Sequence, residues 1–140
     1  MLSVRLVIDT NVVISAALKP TGLQRTVLVL AVTKPARLYV SQPILEEYRE
    51  VLWRAKLGIR RGLRQQLLQL IESHSYTVAP VQSLDVARDP DDNMFVECAD
   101  AARADYLVTG NQKDFPRFWK QTKIITPREF ISIAAPHLMG

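Results

Sequence analysis

Cysteine occurs once in the 140 residues, as Cys98, and histidine twice, as His74 and His137. One cysteine cannot close an internal disulfide, and it cannot build a cysteine-based zinc site without help from another chain. Soft-metal chemistry is left with three ligands scattered along the sequence. Oxygen ligands are plentiful, with 14 Asp and Glu, so any metal here would be a hard one. Long apolar runs are also missing. The opening MLSVRLVIDT is too short in its apolar stretch for a signal-peptide core with a cleavage site, and it reads as a buried strand. The most apolar internal run, Val27 to Val32, falls far below the length that spans a bilayer. The expected compartment is therefore the cytoplasm, with no membrane contact. There is no repeat, low-complexity tract or linker, and the length suits one domain over 1–140 with no room for a second core.

What is present is an ordinary soluble mixture, 48% hydrophobic and 23% charged. The net charge of +4 points weakly to a polyanionic partner, and equally to a solvated surface that is slightly basic.

Strand and helix signals alternate from end to end. Val4 to Ile8 is a short β-branched-rich run of the kind buried on both faces. A helix is predicted over Thr10–Leu18, stopped by Lys19-Pro20-Thr21-Gly22, and a second over Leu23–Thr33. Arg37–Val40 reads as a strand, followed by a helix over Gln42–Trp53 with Ser41 as cap and Pro43 in its first turn. A further helix is predicted over Arg60–Glu72, with Leu63, Leu67, Leu70 and Ile71 inward and Arg60, Arg61 and Arg64 outward. Tyr76–Val81 reads as an edge strand or extended segment limited by Pro80. Arg88–Asp91 is a turn, Asp92–Arg103 a helix, Asp105–Thr109 and Lys123–Thr126 strands, and Pro127 begins a last helix. Strands separated by helices call for a parallel sheet covered on both faces.

In such sheets, sites form outside the carboxyl ends of the strands. Asp9 follows the first strand, and Asn111 and Asp114 follow the strand Asp105–Thr109. If those strands are neighbours, the three side chains converge. Asp9 has a second explanation as a helix cap. Asn11 could orient Asp9 or simply start the helix. On the Gln42–Trp53 helix, Ile44, Leu45, Tyr48, Val51 and Leu52 form an apolar stripe, with Gln42, Glu46, Arg49 and Glu50 opposite. Glu47 stands at the margin of that stripe, three residues after Ile44 and four before Val51. A carboxylate there needs a partner, either a cation such as Arg54 or a metal ion. Asp89, Asp91 and Asp92 stand ahead of a helix, where the macrodipole alone favours acids, and Asp92 is best placed to reach the sheet end. Asp114 is a site acid or a loop residue, and Thr109 could bond a neighbouring carboxylate.

Four segments taken together resemble the PIN-domain nuclease family, and more narrowly its branch of toxin components from toxin–antitoxin systems. They are VIDTNVVISAAL (7–18), SQPILEEYREVLWRAK (41–56), RDPDDNMFVECADAARADYLVTGNQKDF (88–115) and IITPREF (124–130). The resemblance implies a three-layer α/β/α fold with a central, mainly parallel sheet. It implies cleavage of single-stranded RNA, with Mg²⁺ or Mn²⁺ held by Asp9, Glu47, Asp92 and Asp114, and products ending in 5′-phosphate and 3′-hydroxyl. Asn11, Thr109 and Asn111 would support that site. Many members carry an Asp where this chain has Asn111, so the resemblance leaves a second metal less negative charge. It also implies a small antitoxin partner and a homodimer. RNA backbone contacts are expected from Arg60, Arg61 and Arg64, or from Lys113, Arg117 and Lys120; Phe118 and Trp119 either stack on bases or, as is commoner for aromatics in such a loop, are packed.

Two other functions stay open. One is a PIN-like module that binds RNA or protein without cutting, which the loss of one acid at Asn111 would permit. The other is a phosphatase with Asp9 as nucleophile. Such enzymes want a second Asp two residues later, where this chain has Asn11.

Overall fold

A computed structural model describes residues 3–138. The strands are β1 (Arg5–Ile8), β2 (Arg37–Val40), β3 (Ser75–Thr77), β4 (Tyr106–Val108), β5 (Phe118–Trp119) and β6 (Thr122–Ile125). They form one sheet in the order β3-β2-β1-β4-β6-β5, parallel throughout except for β5 against β6. The helices are α1 (Thr10–Leu18), α2 (Leu23–Ala31), α3 (Gln42–Leu52), α4 (Arg61–His74), α5 (Asn93–Ala102) and α6 (Pro127–Ala134).

The sheet is buried because its strands are apolar on both faces. Leu6, Val7, Ile8, Leu38, Val40, Leu107 and Val108 are all shut away from water. The steps from β1 to β2 and β2 to β3 run in one direction across the sheet, and the step from β3 to β4 runs back. Right-handed crossovers therefore place α5 on the face opposite α1 to α4. Accordingly α5 packs over β1, β2 and β4, while α1, α2, α3, α4 and α6 pack among themselves as the other layer. The expected three-layer, mainly parallel architecture is the one observed. No helix of the described residues is long and apolar enough to cross a membrane.

The reversal of direction has a functional consequence. β1 has β2 on one side and β4 on the other, so the chain leaves it in opposite directions and a crevice opens at its carboxyl end.

Local differences from the sequence expectation have simple causes. β5 was not anticipated: two residues offer no alternation to read. Its turn runs through Lys120, whose φ of 52° is in the left-handed region normally signalled by Gly or Asn. β3 begins one residue earlier than Tyr76 and stops at Thr77, so Pro80 lies outside the strand. α6 is fixed by a capping box in which Thr126 accepts from the Glu129 amide and Glu129 accepts from the Thr126 amide. Arg64 does not point fully outward. It is half-buried, and its Nε is shielded from water without a partner.

Candidate active site

Asp9 stands at the crevice. The register pairs Ile8 with Val108, and the next rung carries the Asp9 amide to the Val108 carbonyl at 2.9 Å. Thr109 continues that row and donates its hydroxyl to Asp9 Oδ2 at 2.7 Å. Asp9 is the N-cap residue of α1; its side chain makes no capping bond of ordinary geometry, although the Thr10 and Asn11 amides lie close enough to act on its charge. Only 6% of Asp9 is exposed. Burial raises its carboxyl above 3.8, the Thr109 hydroxyl and the amides of Thr10 and Asn11 pull it down, and the charge of Glu47 pushes it up again.

Glu47 reaches the same place from α3. Its stripe behaves as the wheel requires: Ile44, Tyr48, Val51 and Leu52 are buried, and Gln42, Glu46, Arg49 and Glu50 are exposed. Glu47 is half-buried at the margin, and its Oε2 accepts the Thr10 hydroxyl. Arg54 is not its partner, since that guanidinium pairs with Glu50 at 3.4 Å. Beneath the acids, the buried Tyr48 hydroxyl donates to the Ile8 carbonyl and so fastens α3 to the end of β1. Deep burial, and after it the neighbouring Cys98, Asp9 and Glu47, hold its phenol well above 10.0. Thr10 and Tyr48 were not singled out by the sequence. A hydroxyl beside a site acid is a weak signal, and Tyr48 looked like ordinary core.

Asp92 and Asp114 arrive from two loops that are tied together. Pro90–Asp92 forms a 3-10 turn in which Asp89 Oδ1 accepts the Asp91 amide at 3.0 Å, which commits Asp89 to structure. Asp92 closes that turn and precedes α5 without using its carboxylate as a cap. Asn93 is consumed differently: its buried Oδ1 accepts the amides of Val86 at 2.9 Å and Ala87 at 2.8 Å, pinning the incoming chain. Across from it, the Arg88 amide donates to the Asp114 carbonyl at 2.8 Å. Asp92 registers the outcome. Its carboxyl is pushed up from 3.8 to about 7, first by desolvation and then by the charges of Asp9, Asp89, Asp114 and Glu47. The charges of Asp9, Glu47 and Asp114 thus all bear on Asp92 at the carboxyl edge of the sheet. None of the four takes part in an ion pair among the described residues.

The supporting residues divide. Asn11 Oδ1 accepts the Gly110 amide at 3.3 Å, which joins the start of α1 to the turn after β4. Asn111 is exposed, and its amide donates to Thr109 Oγ1 at 3.0 Å. Lys113 and Arg117 are exposed near Asp114 in the chain. Lys120 is spoken for, with its ammonium 2.9 Å from Asp100. Trp119 also donates to Asp100, at 3.0 Å, while Phe118 is 63% exposed. Arg60 and Arg61 are exposed at the start of α4, and no described contact ties them to the acids. A groove of about 470 Å³ is apart from these side chains, between the start of α3 and residues 77–83.

The model of the PIN domain matches residues 5–113. This chain belongs to the PIN domain family. PIN domains are generally nucleases, and the family generally uses divalent metal ions. A relative of this PIN domain is the uncharacterized protein MJ1680 of Methanocaldococcus jannaschii, 31% identical over 142 residues that cover 93% of this chain and 91% of that protein. Among solved structures, a chain of VapBC2 from Rickettsia felis, crystallised bound to a DNA fragment from its promoter, is similar in fold. The TM-score is 0.60 at 17% identity, over 87% of this chain and 98% of that one.

The donor set of this PIN domain suits a hard cation in charge and in kind: carboxylate oxygens, mutually repelling, without a cationic side chain among them. As they stand, no three acidic, His or Cys side chains of the described residues already form a cage for an ion.

Proposed function

We propose that this PIN domain, taken as one unit over 1–140, is a metal-dependent endoribonuclease that cleaves single-stranded RNA in the cytoplasm. The observation that supports this is the charge bearing on Asp92 at the crevice beside β1: Asp9, Glu47 and Asp114 all raise its carboxyl, and none of the four is in an ion pair among the described residues. Mg²⁺ or Mn²⁺ would be held by Asp9, Glu47 and Asp92, with Asp114 at the margin. Such an ion supplies charge stabilisation on the attacking and leaving oxygens of a phosphodiester.

The chain's own residues prepare the rest. Thr109 holds one oxygen of Asp9. Thr10 does the same for Glu47. Each hydroxyl fixes a carboxylate rotamer, so less freedom is lost when a ligand arrives. Tyr48 locks the two carriers, β1 and α3, at a fixed separation. The Arg88–Asp114 backbone bond keeps the two loops from spreading under the repulsion of their acids.

The likeness in fold to a chain of VapBC2, together with the four segments that resemble toxin components, supports a role as the toxin of a toxin–antitoxin pair. The partner would be a small antitoxin protein that covers the acids, and a homodimer would be the form it binds.

A second function, an RNA-binding or protein-interaction module without cleavage, is favoured by one observation: exposed Asn111 contributes an amide in place of another acid. One experiment separates the two. Mixed single-stranded RNAs are incubated with Mn²⁺, with and without EDTA, using wild type and Asp92→Asn. Cutting by wild type that stops in EDTA and in the variant is the expected result. Equal cutting by both proteins removes Asp92 from the mechanism, and no cutting by either favours the module.

A further inference from the structure

Two grooves, one lined by Glu47 and the other by the chain neighbours of Asp114, differ in charge. One, about 380 Å³, lies on the β2 side and is edged by Glu46, Glu47, Glu50 and Asp91, with Arg54 engaged by Glu50. A phosphodiester chain is repelled there. The other, about 350 Å³, lies on the β6 side and is lined by Gln112, Lys113, Phe115, Pro116, Arg117 and Ile124. That volume is at the lower end of the ~300–1,000 Å³ typical of small-molecule sites.

The second groove is built as a seat for a nucleotide. Phe115 and Ile124 are buried and give it an apolar floor. Lys113 and Arg117 stand exposed at its rim, and neither takes part in an ion pair among the described residues. The neighbouring carboxylate, Glu129, is already committed, since it accepts Gln112 Nε2 at 3.0 Å and the Thr126 amide at 3.0 Å. Gln112 Nε2 also donates to the Ile124 carbonyl at 3.1 Å, so the loop is tied to β6 before a ligand arrives. Asp114, whose charge acts on Asp92, stands between Lys113 and Phe115 in the chain, so the rim of the groove is one residue from an acid of the cluster.

We propose that this groove seats a nucleotide next to the cleaved phosphate of a single-stranded RNA, with Lys113 and Arg117 holding the flanking phosphates. The strand then reaches the acids from the β6 side and leaves the α3 side bare. The inference rests on the ribonuclease function above and adds the route of the substrate. It also narrows the basic residues expected from sequence: Lys120 is held by Asp100 and Arg64 is half-buried, so neither belongs to the path.

The test measures binding apart from cleavage. The anisotropy of a labelled oligouridylate is followed in EDTA at several salt concentrations with the full chain. Lys113→Gln/Arg117→Gln is expected to weaken binding about tenfold at low salt and to flatten the log–log salt slope by about 1.4, two single-strand phosphate contacts at about 0.7 each. A charge-matched control, Lys19→Gln/Arg37→Gln, changes exposed cations away from the groove and keeps the wild-type slope. In Mn²⁺ the groove variant shows a raised KM. Wild-type affinity and slope in the groove variant, or an equal loss in the control, overturns the inference. Groove-dependent binding by a wild type that never cuts leaves the seat in place and removes the ribonuclease function. Cutting with an unchanged KM in the groove variant does the reverse.

Discussion

Replacing Asp92 by Asn should stabilise the metal-free protein at mildly alkaline pH and weaken its response to metal. The folded-state carboxyl titrates at about 7 against 3.8 in the unfolded chain. The native protein therefore holds an extra proton between those values. Stability from that proton is complete below 3.8 and is lost as pH rises through about 7. Taken at about 1.36 kcal/mol per pH unit, the displacement is worth about 4 kcal/mol. Asp92 is half-exposed, so solvent screening reduces this to about 1–2 kcal/mol. For a chain of 140 residues with an unfolding entropy near 2.1 cal/mol/K each, the amide should raise Tm by about 3–7 °C at about pH 8. The gain should shrink as pH falls from 7 toward 4. Saturating Mn²⁺ should reverse the order, because wild type gains about 2.7 kcal/mol at a hundredfold excess over Kd and the variant gains less. Scanning calorimetry across pH, with and without Mn²⁺, measures both effects. A variant that is no more stable than wild type at alkaline pH, and that responds to Mn²⁺ equally, refutes the convergence of charge on Asp92.

Four further outcomes are expected. Thr109→Val removes the donor to Asp9 and should weaken Mn²⁺ binding or activity by about 10–100-fold, read by metal titration and cleavage rate; unchanged values would show that Asp9 needs no fixing. Tyr48→Phe leaves the buried Ile8 carbonyl without its donor and should cost about 1–3 kcal/mol in urea denaturation. Asp100 is held below 3.8 by Lys120 and Trp119, so its stabilising effect is present above that value and is lost as pH falls through the lowered one. In Trp53→Phe, indole emission should then titrate with a midpoint below 3.8, and a midpoint at 3.8 or above would count against the pairing. Cys98 is buried with its thiol pushed up to about 12, so a thiol reagent should label it only as the protein unfolds.

Much of the framework was legible in the sequence because periodicity and chain punctuation are local. The apolar run ending at Ile8, the stripe Ile44–Tyr48–Val51–Leu52 and the start of α6 at Pro127 all fall where hydrophobic spacing and helix-start residues put them. The carboxyl-end rule then singled out Asp9 and Asp114, and the wheel separated Glu47 from Glu46. The two-residue β5 left no comparable trace, because its pairing is made by a non-glycine turn and a partner strand.

The sequence alone determined which segments become strands and helices, which faces are apolar, and that carboxylates follow several strands, since each is a property of near neighbours along the chain. Only the tertiary structure decided that β1 lies between β2 and β4, which is what makes the crevice and lets Asp9, Glu47 and Asp114 bear on the charge of Asp92. It also decided which partner each polar group takes: Thr10 for Glu47, Thr109 for Asp9, Asp100 for Lys120. Such pairings join residues tens of positions apart, and their energies depend on burial and distance, which exist only once the chain has folded.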